Sequence, residues 1–279
     1  MAIDLKKVDA PSWERQSARV TILDRAGFSQ PAAHQELKAR WDAYEQLTTP
    51  VTEELVAAIV SGAGDVASLR AAARAEHVHS ALDDAVGTAI AARLGEIVTE
   101  HAADIYKTVQ TAFNKAATAF AKGAAVVDPE TSPEDVLSLG DLKAQEAWRD
   151  SANLAAELDR LLLPLIAAAT NAGVRHPGAH DGVPGSRAPK TRALALGLAV
   201  DASGVENYRH AWDAVDAVGR TGAWGELLRV GAKIRAVDLA DFQPARIPKP
   251  KVQRKRLRED QTYEFVELDP EDPSYVEVA

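Results

Sequence analysis

The chain has 279 residues, 46% of them hydrophobic and 26% charged, enough to bury the core of one large domain or two small ones. It contains no cysteine, which excludes disulfides, thiolate metal sites, iron-sulfur clusters and cysteine nucleophiles, so the fold rests on packing alone. The formal net charge of -9 is concentrated at one end: residues 259–279 carry eight acidic groups and no Lys or Arg, whereas residues 246–258 carry seven basic groups and no acid.

The N-terminus lacks an apolar stretch of secretory length, and no uninterrupted apolar run is long enough to span a bilayer. The expectation is a cytoplasmic protein, or a virion protein if phage-encoded, with no membrane partner. Alanine richness and the excess of arginine over lysine suit a high-GC bacterium or one of its phages.

Residues 1–30 read as an N-terminal arm, with a β-prone piece at Val20, Thr21, Ile22 and Leu23. From Ala32 the spacing of Leu37, Trp41, Tyr44 and Leu47 predicts a helix that Thr48-Thr49-Pro50 interrupts. Thr49 before Pro50 opens the next helix, which ends near Ser61-Gly62-Ala63-Gly64.

No proline occurs from Val51 to Asp128. Because proline costs about 3 kcal/mol inside a helix, this absence favours very long helices, either single or folded as a hairpin. Asp65 caps a helix expected to reach Lys122 or Gly123, with the stripe Leu82, Val86, Ile90, Leu94, Ile97, His101, Ile105, Val109, Ala112, Ala116 and Phe120. Steps of four and three, close to a repeat of about eleven residues, keep that seam on one face of a nearly straight helix.

Ser132-Pro133-Glu134-Asp135 combines an N-cap with proline at the first helical position. The helix it opens is expected to run through Leu139, Leu142, Trp148, Leu154, Leu158, Leu161, Leu162 and Leu165, with a kink at Pro164. Residues 173–190, rich in glycine and proline, form the expected domain boundary between a long-helix bundle (31–172) and a small helical block (191–243). In that block Ser203-Gly204-Val205-Glu206 reads as a capping box for a helix with Val205, Tyr208, Trp212, Val215 and Val218 on one face. Trp224, Leu227, Leu228 and Ile234 mark a last helix. The fold class is therefore mainly α: an extended antiparallel bundle of long helices, a smaller C-terminal helical block, and extended arms at both termini.

Candidate chemistry is sparse. Glu76 and His79 have the Glu-x-x-His spacing of di-iron bundles, but a second copy and two further glutamates are missing, so a polar helix face is the better reading. His101 falls on the apolar stripe without partners for catalysis. His176, His180 and Asp181 are residue types that zinc accepts, on a loop with no supporting groups, and they define a metal-dependent enzyme only as a second alternative. Phosphate-loop, dinucleotide-binding and serine-elbow patterns are absent, and no catalytic residue or cofactor is assigned.

Residues 244–279 form a basic segment and an acidic docking tail, and the basic run, 244–258, is the strongest binding signal. Arg246, Lys249, Lys251, Arg254, Lys255, Arg256 and Arg258 could contact phosphates, but no aromatic interrupts the run and an acidic tail adjoins it. Tyr263, Phe265, Val266, Leu268 and Tyr275 interleave the tail's carboxylates, a composition richer in aromatics than a disordered spacer. The β-prone 262–268 segment is solitary in sequence; it either pairs with the 20–23 piece, adds to a partner's sheet or stays extended. The expected function is a noncatalytic structural or assembly protein, of a virion-associated or scaffolding type. It would form a homo-oligomer or larger protein assembly through its arms, with nucleic-acid association through 246–258 as the alternative.

Overall fold

The computed structural model describes residues 11–45, 51–62, 64–175, 189–257 and 263–275. The fold is mainly α, with two small two-stranded sheets among the described residues. The chain divides into two compact units, Met1–Ala102 and Ala103–Ala279.

The first unit contains α1 (Pro11–Arg25), α2 (Ala32–Glu45), α3 (Val51–Ser61) and α4 (Val66–Glu100), with α1, α2 and α3 each packed against α4. The β-prone 20–23 piece is helical, which corrects the expected arm. Trp13, Val20 and Leu23 are buried on α1, and Trp13 packs with Ala91 and Leu94 of α4. Burial on a helical period outweighs the strand preference of a β-branched triplet. Gln16 Nε2 donates to Gly95 O at 3.1 Å, where a Cβ on residue 95 would lie 2.8 Å from Gln16 Oε1. Phe28 N donating to Leu23 O and Gly27 N to Asp24 O, with Gly27 at φ 88°, close α1 in a Schellman turn.

Gln30, His34 and Trp41 lie on one side of the α2 segment and are buried; among the described residues the Gln30 side-chain amide, His34 Nε2 and Trp41 Nε1 lack hydrogen-bond partners. Burial lowers the His34 pKa, Asp24 opposes that shift and Lys38 adds to it. Asp65 caps α4 as the sequence predicts, accepting from Ala67 N and Ser68 N. The side chains of Glu76 and His79 lie outside the described residues, as do Thr48, Thr49 and Pro50.

The expected continuous helix stops at Glu100. His101 has φ -104° and ψ 3°, its N–H donates to Ile97 O, and α5 (Ala102–Ala124) begins immediately after it. Thr99 and His101 are weak helix formers, and the break coincides with the division between units.

In the second unit, α5 is followed by α6 (Pro133–Ser138), α7 (Leu142–Asn171), α8 (Pro189–Ala199), β1 (Val200–Asp201), α9 (Tyr208–Ala214), α10 (Gly222–Arg229), β2 (Lys233–Ile234), β3 (Val252–Leu257) and β4 (Tyr263–Leu268). Ser132 caps α6 as predicted, but Gly140 at φ 64° ends that run and Asp141 caps α7 as a separate helix. Leu137, Leu139 and Leu142 around this break are exposed. Pro164 sits buried inside α7, among residues Leu161, Leu165 and Ile166 that are themselves buried.

The expected capping box at Ser203 is not used. Ser203 N donates to Asp201 Oδ1, Asn207 caps α9 instead, and Val218 is fully exposed beyond the helix end. Ile234 belongs to β2, paired with Val200, and not to the last helix.

α5 fixes the chain that follows β2 through its polar edge. Tyr106 Oη donates to Val237 O at 2.6 Å, Gln110 Nε2 to the same oxygen at 2.7 Å, and Asn114 exchanges two hydrogen bonds with the Ala236 backbone. These side chains satisfy backbone oxygens and an amide that no strand pairs among the described residues. Burial, reinforced by Asp238, pushes the Tyr106 pKa up to about 12. Phe113 meets Trp224 edge-on at 5.8 Å, joining α5 to α10, and Trp224 Nε1 donates to Asp159 of α7 at 2.8 Å.

Candidate docking site in the C-terminal segment

The site is built outward from α9. Three prolines, Pro244, Pro248 and Pro250, keep the approach to β3 extended and withhold backbone donors. Tyr208 at the start of α9 donates its hydroxyl to Arg246 O at 2.8 Å, and the Arg246 guanidinium lies over the Tyr208 ring, 4.4 Å from its centre. Arg209 donates to Lys249 O, so two successive α9 residues hold the chain on its way to the hairpin.

The acidic tail returns to the same place. Asp269 accepts from Arg209 Nε at 2.8 Å, with both side chains largely buried. The Glu271 carboxylate takes both terminal nitrogens of Arg246 and the Lys249 N–H, and its side chain is only 5% exposed. A bidentate pair with one buried partner constrains geometry far more than an exposed surface pair. We call this arrangement the latch.

Hydrogen bonds from Arg246 hold Glu271 below the usual carboxylate range against opposition from burial. Burial pushes Asp269 upward, but hydrogen bonds from Glu271 N, Arg209 and Asn207 together leave it lowered. A carboxyl group whose folded pKa is depressed stabilises the folded state above its unfolded pKa and loses that contribution as pH falls through the folded value. The latch should therefore be intact at neutral pH and weaken as pH drops below about 4.5. Hydrogen exchange of the β3 and β4 amides, compared at neutral and acid pH, is expected to accelerate there before the α5 and α7 amides do.

Between the two latch arms, β3 and β4 form an antiparallel hairpin. Its register pairs Val252 with Leu268, Gln253 with Glu267, Arg254 with Val266, Lys255 with Phe265, Arg256 with Glu264 and Leu257 with Tyr263. The β-prone tail segment thus pairs with the basic run, not with residues 20–23. This pairing joins the basic segment to the acidic tail strand to strand.

Lys251 reaches Glu267 at 3.3 Å, and Lys255 Nζ lies 4.1 Å from the centre of the Tyr263 ring. Among the described residues no ion pair engages Arg254 or Arg256, and residues 251–256 are exposed throughout. Phe265 is 72% and Tyr263 62% exposed, while Val266 and Leu268 are half-buried. Tyr275 follows a turn in which its N–H donates to Asp272 O at 2.9 Å. Arg258 lies outside the described residues.

Arg209, Asn207, Tyr208, Asp269 and Glu271 were missed by the sequence reading. The available signal was charge complementarity between the two blocks, but nothing local showed which acid would meet which base.

A cavity of about 400 Å³ beside the latch is lined by Leu196, Val200, Tyr208, Asp241 and Arg246 among others. Its cationic group is already committed to Glu271, and Asp201 at its wall accepts from Ser203 N at 3.0 Å. Among the described residues no cluster of three or more metal-ligating side chains occurs; His176, His180 and Asp181 lie outside them. Also among the described residues, no helix is long and apolar enough to cross a membrane. Compared with known protein families, curated proteins and solved structures, the chain matches none.

Proposed function

We propose that the protein is a noncatalytic assembly component, of a structural or scaffolding kind, that associates through its C-terminal hairpin. The observation carrying this reading is the contrast between a firmly held root and an unused tip. Paired and partly buried charges anchor the segment at Asp269 and Glu271, while Tyr263 and Phe265 remain in water on a hairpin whose two edges are open among the described residues. A lone two-stranded hairpin is marginally stable in water, and exposed aromatics on a fixed platform favour burial against another surface.

Replacing both aromatics, Tyr263→Ser with Phe265→Ser, leaves the latch and helices untouched. The expected result is an unchanged melting temperature and a loss of association, read as mass by light scattering across a dilution series. Unchanged association would remove the hairpin from the reading. Exposed Arg254, Lys255 and Arg256 support nucleic-acid association as a second reading, which predicts co-purifying nucleic acid that is lost when these three are neutralised.

A further inference from the structure

Both hairpin edges are unpaired among the described residues, and they differ in sign. β3 and its lead-in carry Lys251, Arg254, Lys255 and Arg256, with no acid from 246 to 257; β4 carries Glu264 and Glu267, with no base, while Asp269 and Glu271 beyond it are held in the latch. An open strand edge is a template for another strand, and charged side chains are a common device against such pairing. Here that device is selective. Two β3 edges brought together would oppose lysines and arginines, and two β4 edges would oppose glutamates, each arrangement destabilised by like charges on facing strands. A β3 edge meeting a β4 edge places cations opposite carboxylates.

The geometry of the hairpin agrees with the charges. Because β3 and β4 run antiparallel, a second copy that adds its β3 antiparallel to the first copy's β4 must point its hairpin in the same direction as the first. Every strand then alternates, and the sheet continues with its faces in register. By contrast, β3-to-β3 or β4-to-β4 antiparallel pairing needs a two-fold axis and brings like charges together. We propose that the occupant of the hairpin edge is a second copy of this chain, joined head to tail, β4 of one copy to β3 of the next. Such heterologous contacts generate a closed ring if the rotation closes and a filament if it does not. The inference rests on the assembly reading above and adds the partner and the polarity of the contact.

The absence of cysteine gives a direct test in the full-length protein. Gln253→Cys places a single thiol on β3 and Glu267→Cys places one on β4, on the same sheet face, as their pairing within the hairpin shows. Each variant is treated alone and in a mixture with a short bismaleimide. Head-to-tail pairing predicts a covalent dimer band in the mixture and its loss in either protein alone. Dimer in Gln253→Cys alone or Glu267→Cys alone means two-fold pairing and overturns the polarity while leaving assembly through the hairpin standing. An oligomer by light scattering that yields no cross-link in any combination overturns the strand-to-strand contact. A monomer throughout overturns both this inference and the assembly reading.

Discussion

Replacing Leu94 by aspartate is expected to unfold the first unit. Leu94 is 1% exposed and packs with Trp13 and Ala91, so the new carboxylate is placed among apolar side chains and away from water. Burying an unpaired charge, added to the lost apolar contact, exceeds about 4 kcal/mol, a large share of the stability of a small unit. Circular dichroism on heating is expected to show helix loss beginning far below the wild-type transition. Arg254→Ala, on an exposed strand with no ion pair among the described residues, should leave the melting curve unmoved. Equal effects of the two substitutions would contradict the assignment of core and surface.

The second large effect is expected at Glu130. Its carboxylate accepts from Arg220 N at 2.9 Å, Thr221 N at 2.6 Å and the Thr221 hydroxyl, at the start of α10, where Thr221 itself supplies no side-chain cap. Glu130 therefore caps a helix some ninety residues away in sequence, a role given elsewhere to the preceding Ser, Asp or Asn. A Cβ on Gly219 would lie 2.6 Å from Glu130 Oε2, which explains the absence of a side chain there. Beside it, Arg220 lies 3.7 Å from the centre of the Trp148 ring and donates to Ser151 Oγ at 2.7 Å and to Pro129 O at 3.1 Å.

Glu130→Ala leaves these donors without an acceptor and is expected to cost about 2 kcal/mol or more. Burial raises the Glu130 pKa, but hydrogen bonds from Thr221 and Arg220 and the charge of Arg229 leave it lowered overall. Its contribution should therefore be complete at neutral pH and decline as pH falls below about 4.5, so wild type and Glu130→Ala converge in acid. Chemical denaturation of both proteins at neutral and acid pH reads this directly. A constant difference across that range would contradict the cap.

The local signals in the sequence were legible because their partners are close in the chain. Asp65 and Ser132 cap the helices they were expected to cap, each reaching donors within three residues. The break at His101 had no glycine or proline to announce it. The helix at 11–25 was hidden because Val20, Thr21 and Ile22 favour strand until Trp13 and Leu23 are seen to be buried on the same helix. The latch and hairpin depended on pairings between residues 209 and 269, 246 and 271, and 252 and 268. Charge blocks showed that the segments attract, while register, which fixes Tyr263 and Phe265 on the exposed face, comes only from the strand pairing itself.

Assembly through residues 244–279 can be measured as mass by light scattering for the intact chain and for a chain ending at Gln243, while the ultraviolet absorbance ratio reports nucleic acid. The expected result is a defined oligomer free of nucleic acid for the intact chain and a monomer with preserved helical signal for the shortened one. An intact chain that is monomeric, or an oligomer that persists without its C-terminal segment, would contradict it.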